Sequence, residues 1–248
     1  MYAFDFERPT TIADAVKALS DEEAQALGGG QTLIPTLKQR LAMPSKLVSL
    51  AGIEEMRGIC VDDDGRICVG AATTHAAIAG MEGYPALSAL AGNIGDPAVR
   101  NRGTIGGSLA NNDPSACYPA AALASNAVIV TNTRDIAADE YFQGMFDTAL
   151  EEGEIITEVK FPVPEKAAYM KFEQPASRFA LVGVFVAKFF DGVRVAVTGA
   201  SNEGVFRWSE AEAGLGSDFS EAALDGLGLS GNNMIADMHG SGAYRAHL

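Results

Sequence analysis

Gly28-Gly29-Gly30-Gln31-Thr32, taken together with Thr104-Ile105-Gly106-Gly107-Ser108, carries the reading of this fold. Each stretch sets adjacent glycines beside a hydroxyl residue, and a helix-compatible run follows each. Adjacent glycines permit positive φ and let successive N–H groups turn toward one point. With no Cβ in the way an anion can approach the main chain, and a helix start behind the loop adds about half a positive charge at that spot. One such loop is an ordinary turn. Two of matching chemistry in distant parts of the chain predict a ligand held from both sides at adjacent phosphates, as in a dinucleotide pyrophosphate.

The rest of the chain narrows the class. Its 248 residues are 48% hydrophobic and 20% charged, enough to bury one large or two medium cores. The formal net charge of −14 argues against nucleic acid, since no surplus of Lys and Arg exists to displace counterions. It also makes anion binding a local matter for main-chain donors, because the global field repels anions. Met1 to Glu7 has neither a basic n-region nor an apolar h-region. The apolar run Phe179 to Phe190 is broken by Lys188 and too short to span a bilayer, so no transmembrane segment is expected. Cys60, Cys68 and Cys117 show no CxxC spacing and read as buried thiols in a reducing cytoplasm, with no metal site.

Along the chain, Phe4 and Phe6 alternate as in a strand, and Thr11 with Asp14 reads as a helix start over Ile12, Val16 and Leu19. Ala24 to Leu27 leads into the first glycine stretch. Leu33, Leu37 and Leu41 predict a helix behind it, and Val48 and Leu50 another strand. Ile59–Val61 and Ile67–Val69 flank the hairpin turn Asp62-Asp63-Asp64-Gly65. Helical patterning around Tyr84 to Ala91 gives way to a polar loop, Gly95 to Gly103, before the second glycine stretch. Asp113-Pro114 predicts a helix start, and Ala127–Thr131 and Ile155–Phe161 predict strands. Pro162 and Pro164 mark a boundary, beyond which Tyr169 to Val197 is strand-rich with a hairpin at Asp191-Gly192, followed by acidic and alanine-rich helices.

No GxSxG, HExxH, GxxxxGK[ST] or GxGxxG spacing is present, and His75, His239 and His247 are scattered. No catalytic side chain and no metal ligand is therefore expected. A holder for a cofactor that carries the chemistry itself remains.

The motifs Gly28-Gly29-Gly30-Gln31-Thr32-Leu33-Ile34-Pro35 and Asp96-Pro97-Ala98-Val99-Arg100-Asn101-Arg102-Gly103-Thr104-Ile105-Gly106-Gly107-Ser108 closely resemble the FAD-binding medium subunit of molybdenum hydroxylases, the xanthine dehydrogenase and aerobic carbon monoxide dehydrogenase family. Phe4-x-Phe6-x-Arg8-Pro9, Tyr84-Pro85-x-Leu87, Asp113-Pro114, Glu158-Val159-x-Phe161-Pro162 and Tyr244-Arg245 extend the resemblance over nearly the whole chain. It implies an α+β protein: a two-subdomain FAD-binding fold like that of vanillyl-alcohol oxidase, residues 1–52 and 53–164, then a small α+β domain with an antiparallel sheet and helices, residues 165–248. It implies electron transfer within a complex. A large subunit would carry the molybdenum cofactor and a small one two 2Fe–2S clusters, and electrons would pass to FAD on this chain and on to an external acceptor.

By position, the resemblance implies that Gly28, Gly29, Gly30, Gln31, Thr32 and Leu33 bind FAD together with Thr104, Ile105, Gly106, Gly107 and Ser108. The N–H groups of both motifs would donate to the pyrophosphate, with the hydroxyls of Thr32, Thr104 and Ser108 as further donors. Asn111, Asp113 and Phe179 would lie toward the flavin. Arg100 and Arg102 are open to phosphate contact, to structural ion pairing or to a place in an interface. The sequence departs from the family at Ser108, usually asparagine, at Cys117, usually acidic, and at Ser177-Arg178-Phe179-Ala180, where Gly-Asp-Tyr-Ala is common. Relatives also run on past the position of Leu248. The residues leave two other roles open, a stand-alone flavin oxidoreductase of this fold or a non-catalytic homologue without FAD.

Overall fold

The computed structural model describes all residues from Met1 to Leu248. The chain opens with β1 (Asp5–Glu7), α1 (Ile12–Leu19), β2 (Ala24–Leu27), α2 (Leu33–Lys38) and β3 (Lys46–Ser49). Thr11 caps α1: its hydroxyl accepts the Asp14 N–H at 3.1 Å and donates to the Asp14 carboxylate at 2.8 Å. With the helix start fixed, Ala15 and Ala18 fall on the buried face. The three strands form a parallel sheet of order β1-β3-β2.

The second unit is a five-stranded antiparallel sheet of order β4-β5-β10-β6-β7 with a helical layer on one face. Its elements are β4 (Ile59–Val61), β5 (Ile67–Gly70), α3 (His75–Ala79), α4 (Pro85–Gly92), α5 (Pro97–Arg100), α6 (Ile105–Asn111), α7 (Tyr118–Ala124), β6 (Val128–Thr131), β7 (Asp135–Ala137), α8 (Ala138–Tyr141), β8 (Phe142–Gly144), β9 (Asp147–Thr148) and β10 (Ile156–Phe161). In the expected hairpin turn, Asp62 Oδ1 accepts from the N–H groups of Asp64 and Arg66, and Gly65 takes φ +78°. Beyond Pro162 and Pro164, β11 (Lys166–Glu173), β12 (Ala180–Phe189), β13 (Gly192–Ser201) and β14 (Gly204–Arg207) form a four-stranded antiparallel sheet. α9 (Ser209–Ser217) and α10 (Gly242–His247) follow.

One apolar core of 36 buried residues runs through all three sheets, from Ala15 and Val48 through Leu87, Leu90 and Tyr118 to Phe185, Ala187 and Ala196. α7 lies at its centre with every residue buried, and its alanines allow close approach of elements on both sides. No helix is long and apolar enough to cross a membrane.

Four local expectations are corrected. The polar segment before the second glycine stretch is not all loop: Asp96 accepts the Val99 N–H at 2.9 Å and caps the short helix α5. Asp113-Pro114 does not begin a helix. Asp113 forms a side-chain turn, accepting the Ser115 N–H at 2.8 Å, and the Pro114 carbonyl is held by the Thr198 hydroxyl and the Gly199 N–H. α7 starts instead at Tyr118, with Pro119 in its first turn. The second glycine stretch is no loop or hairpin either, because Thr104 is an N-cap and Gly106 and Gly107 sit in the first turn of α6. Among the five motif glycines only Gly30 has positive φ, at +70°.

The other four glycines answer to space. A methyl at Gly29 would overlap the Arg102 carbonyl oxygen, and one at Gly106 would lie 2.6 Å from Ala71 Cβ and 2.8 Å from its carbonyl oxygen. Both obstacles are fixed by hydrogen-bonded backbone, so neither can yield cheaply. Gly29→Ala and Gly106→Ala are each expected to destabilise the ligand-free chain by at least about 2 kcal/mol in urea-induced unfolding. Unchanged midpoints would contradict this packing.

Candidate functional site

Between the first unit, the helical layer of the second and the start of the third sheet lies a cleft of about 530 Å³. Gly28, Gly29, Gly30, Gln31, Thr32 and Leu33 form one wall. Thr104, Gly106, Gly107, Ser108, Asn111 and Asp113 form the facing wall, and Phe179 stands at the mouth with half its surface exposed. Thus every predicted site residue but one lines a single cavity. The exception is Ile105, fully buried with its side chain in the core. Phe179 lies just outside β12, in the β11–β12 connection, and is no part of a strand core.

The two walls differ in their main-chain chemistry. At the start of α6 every amide is engaged: Ile105 donates to the Thr73 carbonyl (3.2 Å), Gly106 to the Ala71 carbonyl (2.9 Å), Gly107 to the Thr104 hydroxyl (3.2 Å) and Ser108 to the Thr104 carbonyl (3.0 Å). The donor role expected of those amides is therefore corrected. The first two fasten α6 to the β5–α3 connection and the other two close its Thr104 cap, which leaves side-chain hydroxyls and Cβ-free surface toward the cleft. Opposite them, no amide from Gly28 through Leu33 donates to any protein group. Six consecutive unengaged N–H groups beside glycine surface form a concavity suited to phosphate oxygens.

Of the two arginines of the second motif, only Arg100 has structural side-chain partners. The Arg100 guanidinium donates to the carbonyls of Ile94 (3.1 Å) and Gly95 (2.9 Å), and neither arginine lines the cleft. Arg102 contributes its carbonyl, against which Gly29 packs.

Several lining residues lie outside the expected binding set, Cys117 among them as a noted departure from the family pattern. His75 begins α3; its N–H donates to the Gly103 carbonyl, and its ring packs 5.2 Å from that of Tyr118. Burial, aided by Arg100, lowers its pKa to about 4, so the imidazole is neutral near pH 7. The Thr73-Thr74-His75 run after a strand, with Thr74 capping α3, was the available signal. Cys117 is buried at the cleft floor, and burial raises its thiol pKa, keeping it protonated. Lys171 has no exposed side-chain surface; its ammonium is held by the carbonyls of Asn93 and Arg178 and lies 3.6 Å from Glu173. It ties the segment bearing Phe179 to the end of α4, and no sequence pattern pointed to it.

Glu154 is a further charged lining residue, besides Lys171, Asp113 and Arg178. With a side chain only 2% exposed, it accepts from Arg134 Nε and Nη2 (both 3.0 Å), the hydroxyls of Thr131 (2.6 Å) and Thr133 (2.7 Å), and the Glu151 N–H (2.8 Å). Arg134 above all, then the hydroxyls and the amide, hold its pKa far below the ordinary carboxylate range.

Comparison with known proteins agrees with this geometry. Residues 2–164 match the family described as the FAD binding domain in molybdopterin dehydrogenase. The chain is 34% identical to the carbon monoxide dehydrogenase medium chain of Afipia carboxidovorans, over 90% of this chain and 83% of that one. It is 35% identical to the nicotine 6-hydroxylase medium subunit of Paenarthrobacter nicotinovorans, over 99% and 93%. Among solved structures, carbon monoxide dehydrogenase from Hydrogenophaga pseudoflava superposes with a TM-score of 0.89 at 29% identity, covering 99% of this chain and 93% of that chain. Quinoline 2-oxidoreductase from Pseudomonas putida gives 0.87 at 28% identity, with 100% and 93% covered. The fold and cleft thus define a flavoprotein of the molybdenum hydroxylases. The chain belongs to the family of their FAD-binding medium subunits, and FAD is its cofactor.

A folded-state pKa depressed below the unfolded value adds stability above the unfolded pKa and loses it as pH falls. Glu154 therefore stabilises the protein fully at neutral pH, and this contribution fades on acidification below about pH 4.3. In acid titrations of unfolding free energy, Glu154→Gln is expected to start lower and lose less; a decline parallel to the wild type would contradict the network.

Proposed function

We propose that this chain is the electron-transfer subunit of a molybdenum hydroxylase, and that its cleft holds FAD across the pyrophosphate. The observation that carries this reading is the run of unengaged amides from Gly28 to Leu33 facing the Cβ-free start of α6. The hydroxyls of Thr32 and Ser108 add donors beside them, and Asn111, Asp113 and Phe179 border the flavin end. Residues 1–52, 53–164 and 165–248 act as three units, each supplying one wall of the site.

When bound, FAD stores two electrons that can arrive one at a time, which lets a one-electron donor serve a two-electron acceptor. The chain's own work is to bind, orient and enclose. Main-chain dipoles hold the anionic bridge, so a protein of net charge −14 needs no arginine cluster to do so. Lys171 fixes the segment that positions Phe179. The neutral His75 and protonated Cys117 present no charge to the ring system, and no side chain serves as acid or base. Electrons come from 2Fe–2S clusters on a small subunit, filled in turn by a large molybdopterin subunit where substrate is oxidised. Alone, the chain turns over no substrate. The free thiols of all three cysteines support a cytoplasmic setting.

Gly107 separates site from fold, since it is exposed in the cleft and a Cβ there meets only the Thr104 hydroxyl, at 3.0 Å. In titrations followed by flavin fluorescence, the purified chain is expected to bind one FAD. Gly107→Val should weaken binding by at least about 100-fold, or about 2.7 kcal/mol, without loss of folded structure in circular dichroism. Wild-type affinity in the variant would overturn the placement of the cofactor. Substrate turnover by the isolated chain, or failure to co-purify with an iron–sulfur subunit when the complex is expressed, would overturn the electron-transfer role.

A further inference from the structure

Away from the cleft, the outer face of the five-stranded sheet gathers Cys60, Cys68 and Glu158, with both sulfurs and a carboxylate oxygen within 4.8 Å of one another. Strand register produces the cluster. Cys60 on β4 stands directly opposite Cys68 on β5, so the antiparallel pair puts both side chains on one face. On β10, Lys160 stands opposite Cys68 and Glu158 opposite Gly70, which sets Glu158 diagonally beside Cys68 on that same face. The intervening Ile67, Val69 and Val159 turn the other way, into the core. Cys68 is buried, Glu158 half-buried and Cys60 exposed, so the cluster is rooted in the sheet and open to solvent.

We propose that Cys60, Cys68 and Glu158 form a binding site for a thiophilic divalent cation of the zinc class, with water as the fourth ligand. Zinc takes sulfur at about 2.3 Å and carboxylate oxygen at about 2.0–2.2 Å in a tetrahedron, which places ligand atoms roughly 3.5–3.8 Å apart. The observed spacing closes to this by small side-chain rotations on strands that are already paired. Binding displaces two thiol protons to solvent, so one dication is met by two thiolates and one carboxylate. Asp62 Oδ2 lies 3.7 Å from the Cys68 sulfur but is held by Arg66 Nε at 2.7 Å, and Lys160 Nζ lies 3.8 Å from Glu158. Lys160 is the competing cation, and binding draws Glu158 away from it. The site pins the β4–β5 hairpin to β10, stiffening the sheet behind the cleft without entering it.

The test is cobalt titration of the reduced full-length chain. Tetrahedral thiolate–cobalt centres absorb at wavelengths longer than oxidised flavin does, so bound FAD does not obscure them. One equivalent of cobalt should bind with that signature and be displaced by zinc. Cys60→Ser, at an exposed position, should weaken binding at least about 100-fold. Zinc should raise the thermal midpoint of the wild type but not of Cys60→Ser. Absence of the thiolate signature, equal affinity in Cys60→Ser, or a reduced chain that keeps no metal while its oxidised form carries a Cys60–Cys68 disulfide would overturn the proposal.

Discussion

The structure depends on one contact between main chains. Gly28 and Gly29 lie directly against Arg102, Gly103 and Thr104, so closely that a methyl at Gly29 would overlap a carbonyl. That contact joins the parallel three-stranded unit to the helical layer of the second sheet and sets the width of the cleft between them. It divides the labour of the two glycine motifs as well. The amides at the start of α6 are consumed, two in fastening that helix to Ala71 and Thr73 and two in its Thr104 cap, whereas those from Gly28 to Leu33 have no protein partners. The same glycine chemistry thus serves adhesion on one wall and leaves unengaged donors on the other.

The global field of an acidic protein repels anions, and in the cleft the groups without protein partners are main-chain dipoles. The arginines in the second motif do not face the cavity, and Arg100 instead satisfies the carbonyls that end the turn after α4. Glu154 is locked among five donors and Lys171 among carbonyls, so these two charges are held by hydrogen bonds where they stand. Burial keeps His75 and Cys117 uncharged. With Asp113 and Arg178 as the other lining charges, of opposite sign, the wall is nearly charge-balanced.

The third sheet is no appendage. Phe185, Ala187 and Ala196 belong to the common core, and the Thr198 hydroxyl holds the carbonyls of Pro114 and Ala116. The buried Arg245 of α10 donates to the Leu181 and Gly199 carbonyls and to Asp237. These clamps place the β11–β12 connection, and with it Phe179, over the cleft mouth.

The order of elements, the two glycine motifs and the turn at Asp62–Gly65 were legible in the sequence because each rests on local backbone chemistry: caps, turns and apolar period. The end of the strand at Phe161 was legible for the same reason, since Pro162 has no N–H to give to a ladder. What the sequence did not disclose arises from distant pieces of chain meeting. Whether an amide is free or engaged depends on Ala71 and Thr73, far from the motif whose N–H groups they bind. Pro114 fails to start a helix because β13 captures its carbonyl, and Lys171 enters the site because its ammonium bridges Asn93 and Arg178. Cys60 and Cys68, read from spacing as unrelated buried thiols, become neighbours by strand register, with Cys60 exposed. Local propensity therefore determined which elements form and where glycine bares the main chain; tertiary packing decided which amide donors remain unengaged, because hydrogen-bond partners are allotted only when the sheets and helices close on one another.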